Sequence, residues 1–366
     1  MPKMQAEEVK RTADLLLGQI QRLSDRPLRF MEVCGTHTVA IFRAGIRQIL
    51  PPEIELVSGP GCPVCVTPNR YLDTAIAYSR QPDVMITTFG DMLRVPGSST
   101  TLMREKAAGA DIRIVYSPLD AVALAQAHPE RKVIFLAVGF ETTAPTAAAA
   151  VLTAQQAGLK NFFVLSAHKL VPPALAALLS APETKVDGFL LPGHVSAVIG
   201  VDEPYRFLTE QFHTPGVVAG FEPLEILQAV LMLLQQVRDG VPRLENAYGK
   251  VVRAGGNPAA RNILYSVYET APAEWRGIGL LPDSGLSVRE AYREFDAVAQ
   301  LPVTVEATRE PAGCRCGEIL RGVAKPSQCP LFGKLCTPDH PVGSCMVSVE
   351  GSCAAWYKYG SGRWQI

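Results

Sequence analysis

What most constrains this chain is an alternation. Between residues 28 and 220, eight short apolar runs recur: LRFMEV, IELVSG, DVMITTFG, IRIVYS, KVIFLAV, NFFVLSA, GFLLPG and GVVAG. They are separated by stretches with helical spacing such as RYLDTAIAYS, TLMREKAAG, LDAVALAQA and PTAAAAVLTAQQAG. The runs carry Val, Ile, Leu and Phe at odd and even positions alike, as strands covered by helices on both faces must. Repeated strand–helix–strand order points to an α/β fold of doubly wound parallel sheets. Eight strands at this spacing fit two small lobes better than one large sheet, and 366 residues exceed a single ordinary core. The expected division is an N-terminal helix at 1–25, one α/β lobe at 26–125 and a second at 126–222. From 223 to 366 the reading is a mainly helical, Cys-rich third domain, with helices at 223–238, 257–269 and 287–299, on which the N-terminal helix packs.

Charge and hydropathy exclude some functions. Thirty-five Lys and Arg balance thirty-five Asp and Glu, so nothing favours nucleic acid or an anionic membrane surface as a partner. No uncharged apolar run reaches the roughly 18 residues of a membrane span. The most hydrophobic helix, PLEILQAVLMLLQQV, carries a glutamate and three glutamines and reads as buried core. The opening AEEVKRTADLLLGQIQRL is a charged amphipathic helix, not an export signal, so the expected compartment is the cytoplasm. Nine cysteines in that setting suggest thiols, redox pairs or metal ligands rather than a disulfide framework. No GxxxxGK[ST] and no GxGxxG follows a strand, so nucleotide chemistry has no motif behind it.

The cysteines fall in three places. In MEVCGTHT, Cys34 and His37 sit on a strand-to-helix turn, where a helix N-terminus and a nearby imidazolium would lower the thiol pKa. That makes Cys34 an activated nucleophile or soft metal ligand, or else a buried cysteine beside the capping residues Thr36 and Thr38. In GPGCPVCVTP, Cys62 and Cys65 suit a dithiol/disulfide pair, half a zinc site or a stiff turn; no second CxxC supplies the other half of a zinc site. In the tail, Cys316-x12-Cys329-x6-Cys336-x16-Cys353 offers four thiolates from a glycine-rich segment, a set that suits zinc or iron–sulfur; without paired close spacings, a [4Fe-4S] cluster is preferred over structural zinc. Cys314 and Cys345 are left over. The turns after the first, second, third and fifth runs carry Cys34, Cys62/Cys65, Asp91 and Glu141, which share one cleft if those strands are parallel neighbours. Asp91 and Glu350 are carboxylates that could move protons to a reacting thiol, or plain caps and loop ion pairs. His194 and Glu222 end apolar runs and read as structural. Together the parts suggest a reductive relay: single electrons from the cluster, pairs from the CxxC, and a separate cysteine holding a substrate or metal.

The stretches MEVCGTHT, SGPGCPVCVTP, TFGDMLRVPG, VGFETTAPTAA, LPGHVSAVIG, VAGFEPLEILQ and CGEIL…QCPLFGKLC…EGSCAAWYKYG resemble the HypD family of hydrogenase maturation factors over essentially the whole chain. The resemblance implies a scaffold rather than a conventional turnover enzyme. It would work with a small HypC-type chaperone to hold iron while the Fe(CN)2CO unit of [NiFe]-hydrogenase is built. Cyanide would come from a HypE-type donor, and the finished unit would pass to the hydrogenase large-subunit precursor. Cys34 would then be the iron ligand, supported by His37. Cys62 and Cys65 would be the redox dithiol facing that iron, and Cys316, Cys329, Cys336 and Cys353 the cluster ligands. Asp91 and Glu350 would take proton or electrostatic roles. The competing expectation is a stand-alone cluster-dependent thiol/disulfide oxidoreductase, which leaves CGTHT without a task.

Overall fold

The computed structural model describes residues 2–360, and side chains from residue 7 onward. All eight expected strands form: β1 (Leu28–Glu32), β2 (Ile54–Ser58), β3 (Val84–Thr88), β4 (Ile112–Ile114), β5 (Lys132–Ala137), β6 (Phe162–Ser166), β7 (Gly188–Pro192) and β8 (Gly216–Ala219). Most are buried on both faces, β3 and β7 along their whole length. That is why they read as continuous apolar runs rather than as alternations. Gly158 takes a left-handed φ of 66° just past the helix Ala144–Gln156, the position a helix stop favours.

Two parallel sheets result. One has the order β2-β1-β7-β8-β9, where β9 is the short strand Leu244–Asn246; the other has the order β4-β3-β5-β6. Sheet membership therefore cuts across the boundary expected at 125/126. The chain lays down β1 and β2, leaves to build the whole second sheet, and returns to place β7 beside β1. Phe30 of β1 lies opposite Gly188 of β7. A Cβ at Gly188 would come within 3.2 Å of the Phe30 ring, so the missing side chain lets the returning strand close on its partner.

The N-terminal helix Pro2–Leu23 packs along the helix Pro223–Asp239, which in turn covers β7 and β8. Both helices thus belong to the first lobe. Past them the helix Pro258–Val267 forms near its expected place, but an antiparallel hairpin follows: β10 (Tyr268–Trp275) and β11 (Gly279–Val288), with a bulge between Ala271 and Ala273. The hairpin leans on the second lobe, where Ser166 Oγ donates to Leu286 O at 2.8 Å and Leu170 N donates to Ser284 O at 2.9 Å. The Cys-rich tail then runs back to the first lobe, tied there by Arg29 Nη2 to Gly322 O (2.9 Å) and by the Lys325–Glu55 ion pair (2.7 Å). No helix among the described residues is long and apolar enough to cross a membrane.

Candidate functional site

Cys34 follows β1 and caps the helix Gly35–Arg43, and the Cys62/Cys65 loop follows its neighbour β2. The two loops touch through backbone. Gly35 N donates to Gly61 O at 2.8 Å, and a Cβ on Gly61 would lie 2.2 Å from Cys34 N. Cys62 and Cys65 are joined as a disulfide, with Cα atoms 5.2 Å apart, and Cys65 N donates to Cys62 Sγ at 3.3 Å.

The rest of the cleft differs from expectation. β3 and β5 belong to the other sheet, so the strands flanking the Cys34 turn on its far side are β7 and β8. They bring His194, at the start of the helix Gly193–Ile199, and Phe221, just after β8. Phe221 stacks on His194, with ring centroids 4.0 Å apart, and lies tilted against His37 at 4.7 Å. Neither Phe221 nor a role for His194 beyond packing was legible in the sequence, because a lone aromatic or histidine after an apolar run carries no spacing signal. Asp91 stands in the short turn Gly90–Arg94 after β3 and makes no hydrogen bond or ion pair among the described residues. Its neighbour Arg94 reaches the tail, donating to Val347 O at 2.9 Å.

The electrostatics of the Cys34 turn also reverse the expectation of a lowered thiol pKa. Burial pushes Cys34 up to about 12, and the Glu350 carboxylate adds to the rise. His37 is no imidazolium: burial pulls it down to about 4, and its Nε2 donates to Gly220 O at 2.9 Å. Beneath the turn, Glu32 is fully buried, accepts from Thr38 Oγ1 at 2.6 Å, and is lifted by desolvation to about 7. A thiolate at Cys34 therefore needs a cation beside it, which a bound metal ion itself supplies.

Glu350 arrives from the tail. Thr36 Oγ1 donates to its Oε1 at 2.8 Å, and its Cβ fills the space a side chain at Gly35 would need. The helix Ser352–Tyr359, which follows, packs on the helix behind Cys34, with Trp356 edge-on to Phe42 at 5.6 Å. That helix carries Cys353. Cys314, Cys316, Cys345 and Cys353 lie close enough for each thiol to bear on the charge of its neighbours. Cys336 is close enough for Cys353 to feel its charge, and Cys329 Sγ faces Gly313 O at 3.9 Å. Among the described residues no three such donors stand in the grouping of a formed metal site. What the tail offers is a largely buried set of soft donors.

Two residues join the tail to the disulfide loop. Ser344 Oγ donates to Cys65 O at 3.0 Å and lies 3.6 Å from Cys316 Sγ. Arg276, from the β10–β11 turn, is 6 % exposed; its backbone N donates to Val66 O and its Nε to Thr67 O, both at 2.9 Å. Neighbouring thiols and burial push Cys314 and Cys316 above the ordinary thiol range, and the Arg276 charge only opposes that rise. Sequence reasoning missed Arg276 because a single arginine in a turn has no signature.

Glu141, in the turn after β5, is buried in the second lobe, where its Oε1 accepts from Val171 N at 2.9 Å. Burial lifts its carboxyl from the ordinary 4.5 to about 7. The folded state then binds the proton more tightly than the unfolded chain. Ionisation above pH 7 costs stability, and that cost is relieved as pH falls toward 4.5. Glu141→Gln is expected to raise the unfolding free energy by about 3 kcal/mol at pH 8 and to change it little at pH 4.5. Urea unfolding at the two pH values checks this, and an equal gain at both would contradict it.

Comparison with known proteins agrees with the motif reading. A HypD family model, described as the hydrogenase formation hypA family, matches residues 11–360. The hydrogenase maturation factor HypD of Azotobacter vinelandii is 48 % identical over 361 residues, covering 96 % of this chain and 95 % of the relative. That of Rhodobacter capsulatus is 48 % identical, covering 97 % and 94 %. That of Escherichia coli strain K12 is 46 % identical over 357 residues, covering 96 % and 95 %.

Proposed function

This chain belongs to the HypD family of hydrogenase maturation factors, and we propose that it acts in hydrogenase maturation as the scaffold on which iron receives its cyanide and carbonyl ligands. One observation carries the reading: the Cys34 turn, the Cys62–Cys65 loop and the thiol-rich tail meet at the carboxyl end of one sheet. The iron is cargo. Cys34 offers it one thiolate and a small HypC-type chaperone another, so the ion is bridged between two proteins and can be handed on to the hydrogenase large-subunit precursor.

Cyanide delivered by a HypE-type donor as a thiocyanate needs two electrons to leave as cyanide. With the loop reduced, Cys62 is the attacking thiolate, since its sulfur already accepts the Cys65 N–H. It attacks the donor sulfur, the sulfur–carbon bond breaks, and cyanide departs with the bonding pair toward the iron. Cys65 then displaces the donor thiolate from the mixed disulfide and leaves Cys62–Cys65 joined. Two electrons have passed from the dithiol to the donor. Glu350, hydrogen-bonded to Thr36 beside Cys34, is the proposed proton acceptor, and His37 fixes the turn through Gly220. Asp91 keeps only the electrostatic role suggested by its motif.

The donor chemistry of the tail fits a [4Fe-4S] cluster held by Cys316, Cys329, Cys336 and Cys353, with Cys314 and Cys345, both near Cys316, as competing ligands. When bound, such a cluster supplies the single electrons that return the disulfide to the dithiol. Cys353→Ser is expected to lose acid-labile sulfide and most of the purified protein's iron. Sulfide at the wild-type level, or zinc in place of iron, would count against this assignment.

A further inference from the structure

A cavity of about 400 Å³ opens at the carboxyl end of β6, away from the thiol site. Its walls come from Leu165–Lys169, from the facing parts of β10 and β11, and from Pro68 and Tyr71, just beyond the disulfide loop. Two buried basic side chains that border it lack partners. Lys169 is 5 % exposed, and its ammonium makes no hydrogen bond or ion pair among the described residues. His168 is 2 % exposed and leaves Nδ1 unpartnered. Burying an ammonium without a counter-charge is unfavourable, so native structures pair it. The acids at hand do not serve. Glu274 is exposed on the rim and is felt only at a distance, while the half-buried Asp296 accepts from Val298 N. Burial brings Lys169 down to about 8, which leaves it mostly protonated at neutral pH. The remaining wall is mixed, with Leu165, Leu286 and Val288 beside Ser166, Ser287 and the exposed Arg70.

We propose that this cavity binds a small organic carboxylate, its anionic end on Lys169 Nζ and its apolar body against Leu165 and Leu286. The position suits a ligand, since parallel sheets collect ligands beyond the carboxyl ends of their strands. An occupant there would abut Pro68, three residues past Cys65, and so would touch the segment that leaves the disulfide loop.

The test uses the full chain with butyrate and with inorganic phosphate as separate probes. Trace acetic anhydride labels lysines, and peptide mass mapping reads Lys169. Butyrate at saturating concentration is expected to protect Lys169 in wild type at least about fivefold, with phosphate protecting little. In Lys169→Met, butyrate affinity measured by saturation-transfer NMR should fall at least about tenfold. Protection by phosphate alone, or by neither probe, overturns the proposal. The wild-type labelling keeps it decidable even where the variant folds poorly.

Discussion

Gly61→Ala is expected to cost this protein about 1–3 kcal/mol of stability and most of its activity in hydrogenase maturation. The reason is steric and local. A methyl at Gly61 would meet Cys34 N at 2.2 Å, the Val33 carbonyl carbon at 2.4 Å and Cys34 Cα at 2.5 Å. All three are main-chain atoms and cannot swing aside as the end of a flexible side chain could. The loop carrying the disulfide must therefore lift from the Cys34 turn by about an ångström, breaking the Gly35–Gly61 hydrogen bond. A displacement of that size between reacting groups costs on the order of 100-fold in rate. Gly18→Ala is the control. It lies exposed in the first helix with nothing within 4 Å, and it should gain about 0.5–1 kcal/mol. Unfolding midpoints together with maturation activity in cells lacking the native factor decide the matter. A Gly61→Ala protein with wild-type values on both would show that the contact is incidental.

Cys65→Ser should abolish turnover while leaving Cys34 able to hold iron. Without the resolving thiol, Cys62 stays bonded to the donor sulfur, and maturation falls at least about 100-fold. The trapped species is a mixed disulfide, visible as a heavier band on a non-reducing gel and dissolved by dithiothreitol. Cys62→Ser, lacking the attacking sulfur, should give no such band. If Cys62→Ser traps the donor and Cys65→Ser does not, the order of attack is reversed. If neither traps it and both mature hydrogenase normally, the dithiol plays no part.

The strands were legible because burial on both faces leaves its mark on every residue of a run, as in VMITT and GFLLP. Their pairing was not legible. β1 pairs with β7 across more than 150 residues, and nothing local distinguishes that partner from β3. The lobe boundary, and the expectation that the strands before Asp91 and Glu141 are neighbours of β1 and β2, went wrong for this one reason. The β10–β11 hairpin was missed because YETAPAEW buries only its end residues and carries a proline inside, so it lacks a strand's alternation. At the site, Cys34 and the CPVC loop could be placed together because adjacent parallel strands end at the same edge. The Cys34 pKa could not be inferred, since burial, its main cause, depends on the packing of distant segments, and the Glu350 charge that adds to it comes from the tail.

The central claim, that Cys34 holds the iron on which cyanide and carbonyl are assembled, is tested most directly by infrared spectroscopy of the protein co-purified with its small chaperone. Cyanide and carbonyl stretching bands should appear in the wild type and vanish in Cys34→Ala, while acid-labile sulfide in the tail stays at its wild-type level. Bands of full intensity in Cys34→Ala would contradict the account and leave a plain thiol/disulfide oxidoreductase as the better description.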